Sequence, residues 1–271
     1  MVTGSSWVLV PETLRFNLTG ALTNGATARD LILTIIGKIG ANGANYHAME
    51  FAGPGMASLT MSDRIAICNL CVEAGAKTAL MEVDDITFDY LAAHGGREPE
   101  ACFSSDPDAK FEKVYDIDLS TIVPVLAKPH FVDNIAPVSE CKGIKINEAF
   151  LGSCNNGRLE DLAAAAEILK GKKIAPFVKM IVTPASRKIY REALEAGILE
   201  TLAEAGAMIT HPCCGLCCGR AGGILTDNEV VVATNNRNFL GRMGTSKVQI
   251  YLASPKTAAW TALTGKITLP E

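Results

Sequence analysis

"KINEAFLGSCNNGRLEDLAAAAEILKG", residues 145–171, decides how this chain folds. Residues 145–153 read as a strand and residues 157–171 as a helix, joined by the tight "GSCNNG". The same order recurs downstream. "FVKMIVTP" leads into "SRKIYREALEAG", and a further helix is followed by the apolar pieces "AMIT", "EVVVATN" and "VQIYLAS" and a last helix, "SPKTAAWTALTG". Strand–helix alternation of this kind predicts a parallel sheet covered on both faces. In open α/β sheets ligands bind beyond the carboxyl ends of the strands. Three loops leave strands here: "GSCNNG", "HPCCGLCCG" and "TNNRNFLGR".

The first half points the same way. "WVLV" and the alternating Leu14, Phe16 and Leu18 predict β structure closed by Gly20. Thr27 to Asp30 reads as a helix cap before "LILTIIGKIG", whose apolar residues cover most of the circumference, so the helix is expected to be buried against a sheet. "AMEFAGPG" is a short strand running into a Gly-Pro-Gly turn, followed by a helix over residues 62–73 that stops near Gly75. Between residues 121 and 145, Pro124, Pro129 and Pro137 interrupt any period, and the segment reads as an extended crossing between two domains. No internal repeat or low-complexity tract is visible.

Composition bounds the function. The 271 residues are 48% hydrophobic and 20% charged, the profile of a globular protein. No apolar run reaches the roughly 20 residues of a membrane span, and the first residues lack the basic stretch and apolar core of a signal peptide. The expectation is a cytoplasmic protein with no membrane partner. A net charge of −4 does not suggest nucleic acid. Residues 1–145 carry 11 Lys/Arg against 18 Asp/Glu, and residues 146–271 carry 14 against 11, so the second half is the one suited to anionic ligands.

Nine cysteines, an odd number, do not form a secreted disulfide framework. Cys68 and Cys71 sit within a helical pattern, where free cysteine behaves as a small hydrophobe; Cys102 and Cys141 stand alone. Cys213, Cys214, Cys217 and Cys218 crowd one loop, and Cys154 lies about 60 residues earlier in another. A second zinc knuckle is absent, and a redox dithiol would leave Cys154 unexplained. Two loop thiols plus Cys154 make three, and an iron–sulfur cluster held by three rather than four cysteines keeps one iron open as a Lewis acid. Spacing alone leaves the cluster level with other metal or redox uses. In the third loop, Arg237 and Arg242 lie five apart beside Asn236, suited to holding carboxylates bidentately at about 1.5–3 kcal/mol per charge-assisted bond.

"LGSCNNGRLEDL", "CCGLCCG" and "NNRNFLGRMG", in that order, resemble the three signatures of the aconitase superfamily. The nearest texture is that of the large subunits of 3-isopropylmalate dehydratase and homoaconitase. "WVLVPETLRFNLTG", "IIGKIGANGANYHAMEFAGPG" and "RIAICNLCVEAGAK" extend the likeness over essentially the whole chain. The resemblance implies two three-layer αβα domains with mainly parallel sheets. Residues 1–125 would be the central domain, 126–145 an extended inter-domain segment and 146–271 the cluster domain.

It also implies a [4Fe–4S] cluster on Cys154, Cys214 and Cys217, with Cys213 and Cys218 as extras. Asn236, Arg237 and Arg242 would bind substrate, and Glu50, in "AMEFAGPG", would be a catalytic acid near the open iron. Leu216 stands where the family has proline, and Asn155 where threonine is common. The implied reaction dehydrates and rehydrates a 2-hydroxy di- or tricarboxylic acid, as in 3-isopropylmalate dehydratase, homoaconitase or 2,3-dimethylmalate dehydratase. The implied partners are a further N-terminal large-subunit domain and a small swivel subunit carrying the catalytic serine. On this reading the chain alone is inactive. The rival readings are an inactive cluster-bearing sensor and a structural zinc or thiol protein.

Overall fold

Alternation of apolar and polar residues builds the first strand. In the computed structural model, which describes residues 3–97 and 102–270, β1 spans Thr13–Thr19 and buries Leu14, Phe16 and Leu18. It is followed by α1 (Ala28–Ile39), β2 (Ala48–Ala52), α2 (Met61–Leu70), β3 (Thr78–Met81), α3 (Asp85–Ala93) and β4 (Lys113–Asp118). These strands form an all-parallel sheet in the order β3-β2-β1-β4. The strand expected at residues 7–10 does not form. No strand pairs with "WVLV", and its side chains are 62–88% exposed.

Asp30 shows how α1 is placed. One carboxylate oxygen accepts from the Thr27 backbone N–H at 2.8 Å, closing the cap read from the sequence. The other accepts from the Val125 N–H at 2.9 Å, tying the helix start to the next sheet. Leu31, Ile32, Leu33, Ile35 and Ile36 are all buried, each such side chain contributing about 1.5–3 kcal/mol.

The second sheet comprises β5 (Val125–Ala127), β6 (Ile135–Pro137), β7 (Glu148–Gly152), β8 (Lys179–Thr183), β9 (Met208–Ile209), β10 (Val230–Ala233) and β11 (Gln249–Leu252). Its helices are the single turn α4 (Ser153–Asn156), α5 (Leu159–Leu169), α6 (Arg187–Glu195), α7 (Ile198–Glu204) and α8 (Pro255–Thr264). Strand order is β6-β5-β11-β10-β7-β8-β9. From β7 to β11 every pairing is parallel, as the alternation predicts. The chain builds outward from β7 through β8 to β9, then returns to the other side of β7 for β10 and β11. The topological switch point therefore falls between β7 and β10.

Residues 121–145 are not a bare crossing. They supply β5 and β6, which pair antiparallel along the β11 edge. The prolines that broke the period sit where a missing N–H costs little: Pro124 and Pro129 flank β5, and Pro137 ends the outermost strand.

Apolar side chains from the inner face of the first sheet, from α1 and α2, and from Phe150, Ile181, Val231 and Ile250 of the second sheet form one continuous core. A second core joins Ala149, Leu151, Val182 and Tyr251 to α5, α7 and α8. The second sheet is thus sandwiched, and α1 and α2 lie against its near face. On the outer face of the first sheet Arg15, Glu50 and Leu80 stand in register, with Ser105 and Phe111 crossing over them.

Glu148, the first residue of β7, is fully buried with Lys179 Nζ 3.1 Å away, and Glu229 shares that lysine at 3.7 Å. Burial outweighs the pull of Lys179 and pushes the carboxyl up to about 7. An unfolded glutamate titrates near pH 4.3, so between about 4.3 and 7 the folded chain keeps a proton that the unfolded chain has lost. Stability therefore falls as pH rises through that window, by up to about 3 kcal/mol. Asp30 and Asp161, both held up at about 6 by burial, act in the same sense. Comparing wild type with Glu148→Gln in thermal melts at pH 5 and 8 isolates Glu148. The variant is expected to lose part of the pH slope and to melt higher than wild type at pH 8.

Candidate functional site

Two loops flank the switch point. The first leaves β7 through Gly152, whose φ of +132° only glycine adopts readily. A Cβ there would lie 2.0 Å from the Thr183 carbonyl oxygen of β8. Ser153 follows with φ +63°, and this double reversal sets up α4 with Cys154 exposed on its outer side. The second loop leaves β10 as residues 234–242. Its asparagines anchor it: Asn238 is 2% exposed and donates to the Lys128 and Phe131 carbonyls at 2.8 and 3.2 Å, and Asn235 donates to the Arg237 carbonyl at 3.0 Å.

The third loop follows β9 and carries four cysteines. Residues 215–218 form a 3-10 turn closed by Gly219 in the left-handed region. Leu216 is 2% exposed and belongs to the first core, so packing restrains the turn in place of a proline ring. Cys217 is buried, whereas Cys213 and Cys214 are exposed. The Cys218 thiol donates to the Gly215 carbonyl at 3.4 Å. Desolvation first, and then the charges of Cys217, Cys218, Cys154 and Cys213, raise the Cys214 thiol, which places Cys154 in the same electrostatic neighbourhood as the cysteine loop.

Arg242 joins the second and third loops. Its Nε donates to the Cys217 carbonyl at 2.6 Å, and Nη2 lies 3.8 Å from the Cys217 Sγ. Arg237 sits at the other flank, its Nε donating to Glu73 Oε1 at 2.8 Å. Asn236 Nδ2 donates to Asn69 Oδ1 at 2.7 Å. The expected Cys154, Cys214, Cys217, Asn236, Arg237 and Arg242 therefore lie on loops that adjoin one another.

Glu50 does not join them. It projects from β2 on the outer face of the first sheet, opposite Met49 and Phe51, which pack towards α1 and α2. Arg15 Nη1 pairs with its Oε1 at 2.5 Å, and the Ser105 hydroxyl donates to its Oε2 at 2.7 Å. The carboxylate that meets the arginine loop is Glu73, in the turn after α2.

Sequence reading missed three residues here: Asn69 and Glu73, one helical turn apart in "CNLCVEAG", and Arg29, a buried cation in the first turn of the largely apolar α1. The signal for Asn69 and Glu73 was their four-residue spacing, which puts both on one face of the helix.

The donor set fits a cluster. All nine cysteines are free thiols. A single tetrahedral zinc, with Zn–S near 2.3 Å, gathers its sulfurs to about 3.8 Å of one another. The cysteines instead stand on two adjoining loops, Cys154 on one and Cys214 and Cys217 on the other, and thiols are the donors that iron–sulfur clusters take. The side chains that do converge tightly, Glu12, His47 and Glu112, stand at the entries of β1, β2 and β4, away from the strand exits.

The chain is thus a doubly wound α/β protein with thiols and guanidinium groups on the loops around the switch point of its second sheet. Residues 1–265 match the model of the aconitase family (aconitate hydratase), and the chain belongs to that family. It is 46% identical over 268 residues to the probable 3-isopropylmalate dehydratase large subunit of Methanothermobacter thermautotrophicus, covering 99% of this chain and 64% of that protein. To the 2,3-dimethylmalate dehydratase large subunit of Eubacterium barkeri it is 47% identical over 272 residues, covering 100% and 64%. The chain thus spans about 64% of the length of these curated relatives. Among solved structures, the holo-form of Thermococcus kodakaraensis aconitase X is 13% identical with a TM-score of 0.45, covering 84% of this chain and 49% of that one.

Proposed function

We propose that the chain is the cluster-bearing part of a [4Fe–4S] hydro-lyase large subunit acting on a substituted malate. One observation supports this reading: adjoining loops from separate strand exits carry Cys154, Cys214 and Cys217 and two guanidinium groups, with Arg242 bonded to Cys217. Relatives named for 3-isopropylmalate and for 2,3-dimethylmalate are equally similar, and both substrates are branched 2-hydroxy diacids.

Cys154, Cys214 and Cys217 would hold the cluster. When bound, it supplies a Lewis-acidic iron able to polarise a hydroxyl group. The protein's own residues do the rest. Arg237, fixed through Nε by Glu73, keeps its two terminal nitrogens for a substrate carboxylate. Asn69 orients Asn236 beside it. Arg242 donates towards Cys217, stabilising thiolate charge, and stacks over Phe239 with 5.5 Å between guanidinium and ring centroid. Glu73 acts here by holding Arg237, a role different from the one that the resemblance implied for Glu50. The proton next to the second carboxylate needs a base from outside these loops, for which the swivel-subunit serine is the proposed source. The large-subunit relatives favour such a small-subunit partner, with the remaining large-subunit domain alongside it. A cytoplasmic location goes with this reading because thiolate ligands need a reducing compartment. Among the described residues no helix is long and apolar enough to cross a membrane.

The test is anaerobic reconstitution with iron and sulfide, then hydration of an unsaturated branched diacid in the presence of the remaining large-subunit segment and a small subunit. Turnover is expected only with the complete assembly; a fully loaded, complete assembly without turnover overturns the enzyme reading. In that assembly Arg237→Lys is expected to lower kcat/KM about 10- to 150-fold, the equivalent of one charge-assisted bond of about 1.5–3 kcal/mol, while cluster absorbance is unchanged.

A further inference from the structure

Arg29, in the first turn of α1, is 1% exposed. Its Nη1 donates to Asn156 Oδ1 at 3.3 Å, and its Nη2 donates to the Asn235 carbonyl. Asn155, with its amide oriented by its neighbours, presents Oδ1 to Nη1 at 2.6 Å and donates to the Ala66 carbonyl at 3.1 Å. One guanidinium from the first half of the chain therefore grips both strand exits that flank the switch point. Every one of these acceptors is neutral.

Among the described residues no carboxylate oxygen lies within 4.0 Å of Arg29. Asp30, Asp161, Glu73 and Cys217 act on it only through longer-range charge, and burial lowers its pKa to about 10. A buried cation without a countercharge is expensive, and proteins pair such groups. Arg64 in the neighbouring helix α2 illustrates the usual solution: it is 2% exposed and forms a bidentate pair with Asp84, both distances 2.6 Å. Arg29 has no such partner, yet it lies beneath the loops that present Cys154 and approach Cys217. Three thiolates outweigh the positive charge of an oxidised cluster core, so loaded loops carry net negative charge.

We propose that Arg29 is a positioning residue for the cluster, a buried cation held by neutral acceptors from both strand exits whose charge is balanced by the thiolate-ligated group. This inference rests on the cluster reading above. It predicts coupling. Without the cluster Arg29 is an uncompensated burden on the fold; with the cluster it stabilises the loaded state and slows iron loss. A residue of purely structural value would shift the apo and loaded proteins equally.

The experiment uses the full chain, melted before and after anaerobic reconstitution with ferrous iron and sulfide. Wild type is expected to gain thermal stability on loading. In Arg29→Met that gain falls by half or more, and iron loss to a chelator is at least tenfold faster. Arg29→Lys, which keeps the charge, recovers at least half of the lost gain. Should the methionine variant not fold, Asn156→Asp makes the same test by giving Arg29 a carboxylate. It is likewise expected to shrink the gain and speed iron loss. Equal gains and equal iron-loss rates in wild type and a folded neutral variant, or a lysine variant as poor as methionine, overturn the inference alone. Failure of wild type to take up iron and sulfide overturns the cluster reading itself.

Discussion

Replacing Gly152 with alanine is expected to lower Tm by about 10 °C or more, or to leave no soluble folded chain. Two costs coincide at this position. Its φ of +132° lies in a region that side chains with a Cβ rarely adopt, at about 1–3 kcal/mol. The added Cβ would also stand 2.0 Å from the Thr183 carbonyl oxygen, a backbone atom of the paired strand that cannot swing aside. Relief would require separating β7 from β8 at the centre of the second sheet. Together these costs exceed about 4 kcal/mol, against a total stability of about 5–15 kcal/mol for a typical domain. In a chain of this size each kcal/mol moves Tm by roughly 2–4 °C. Gly171→Ala is the control, because φ there is +69° and nothing lies within 4 Å of the new Cβ. It is expected to cost about 1 kcal/mol. Melts of the two variants followed by circular dichroism decide the matter. A Gly152→Ala protein that melts like Gly171→Ala would show that the seam between β7 and β8 is not closed as described.

Cys154→Ser is expected to separate folding from cofactor uptake. The thiol is exposed, so the substitution should change stability by no more than about 0.5 kcal/mol. Iron and sulfide uptake should nevertheless fall to background, because serine is a poor substitute for the thiolate that the β7 exit would supply in the proposed ligand set. Cys218→Ser is the informative contrast. Its thiol is directed to the Gly215 carbonyl, and that variant is expected to load like wild type. Iron and sulfide analysis with absorbance spectra after reconstitution checks both. Full loading of Cys154→Ser, or loss of loading in Cys218→Ser, would require a different ligand set.

The strand–helix alternation of residues 145–265 was readable because it depends on local pattern, and β7 to β11 and their helices follow it. Failures came where partners decide. Residues 7–10 have strand composition but pair with no strand. The proline-rich segment after residue 121 has no period, yet β5 and β6 find an edge that β11 leaves open. The cysteine and arginine loops stand out by composition, and their proposed roles came from the family resemblance. Which acidic residue reaches them could not be read that way. Glu50 and Glu73 both stand in stretches that resemble the family. Only strand register turns Glu50 to the outer face, and only the packing of α2 against α4 sets Glu73 beside Arg237.

The sequence by itself determined the fold class and the residue types of the site, because burial period, glycine turns and clustered thiols are written in consecutive positions. Tertiary structure decided the switch point between β7 and β10, the carboxylate that serves the arginine loop, and the burial of Arg29 beneath loops more than 120 residues away in the chain. Those outcomes depend on which elements pack together. A lone arginine in an apolar helix reads as a surface charge until the second sheet closes over it.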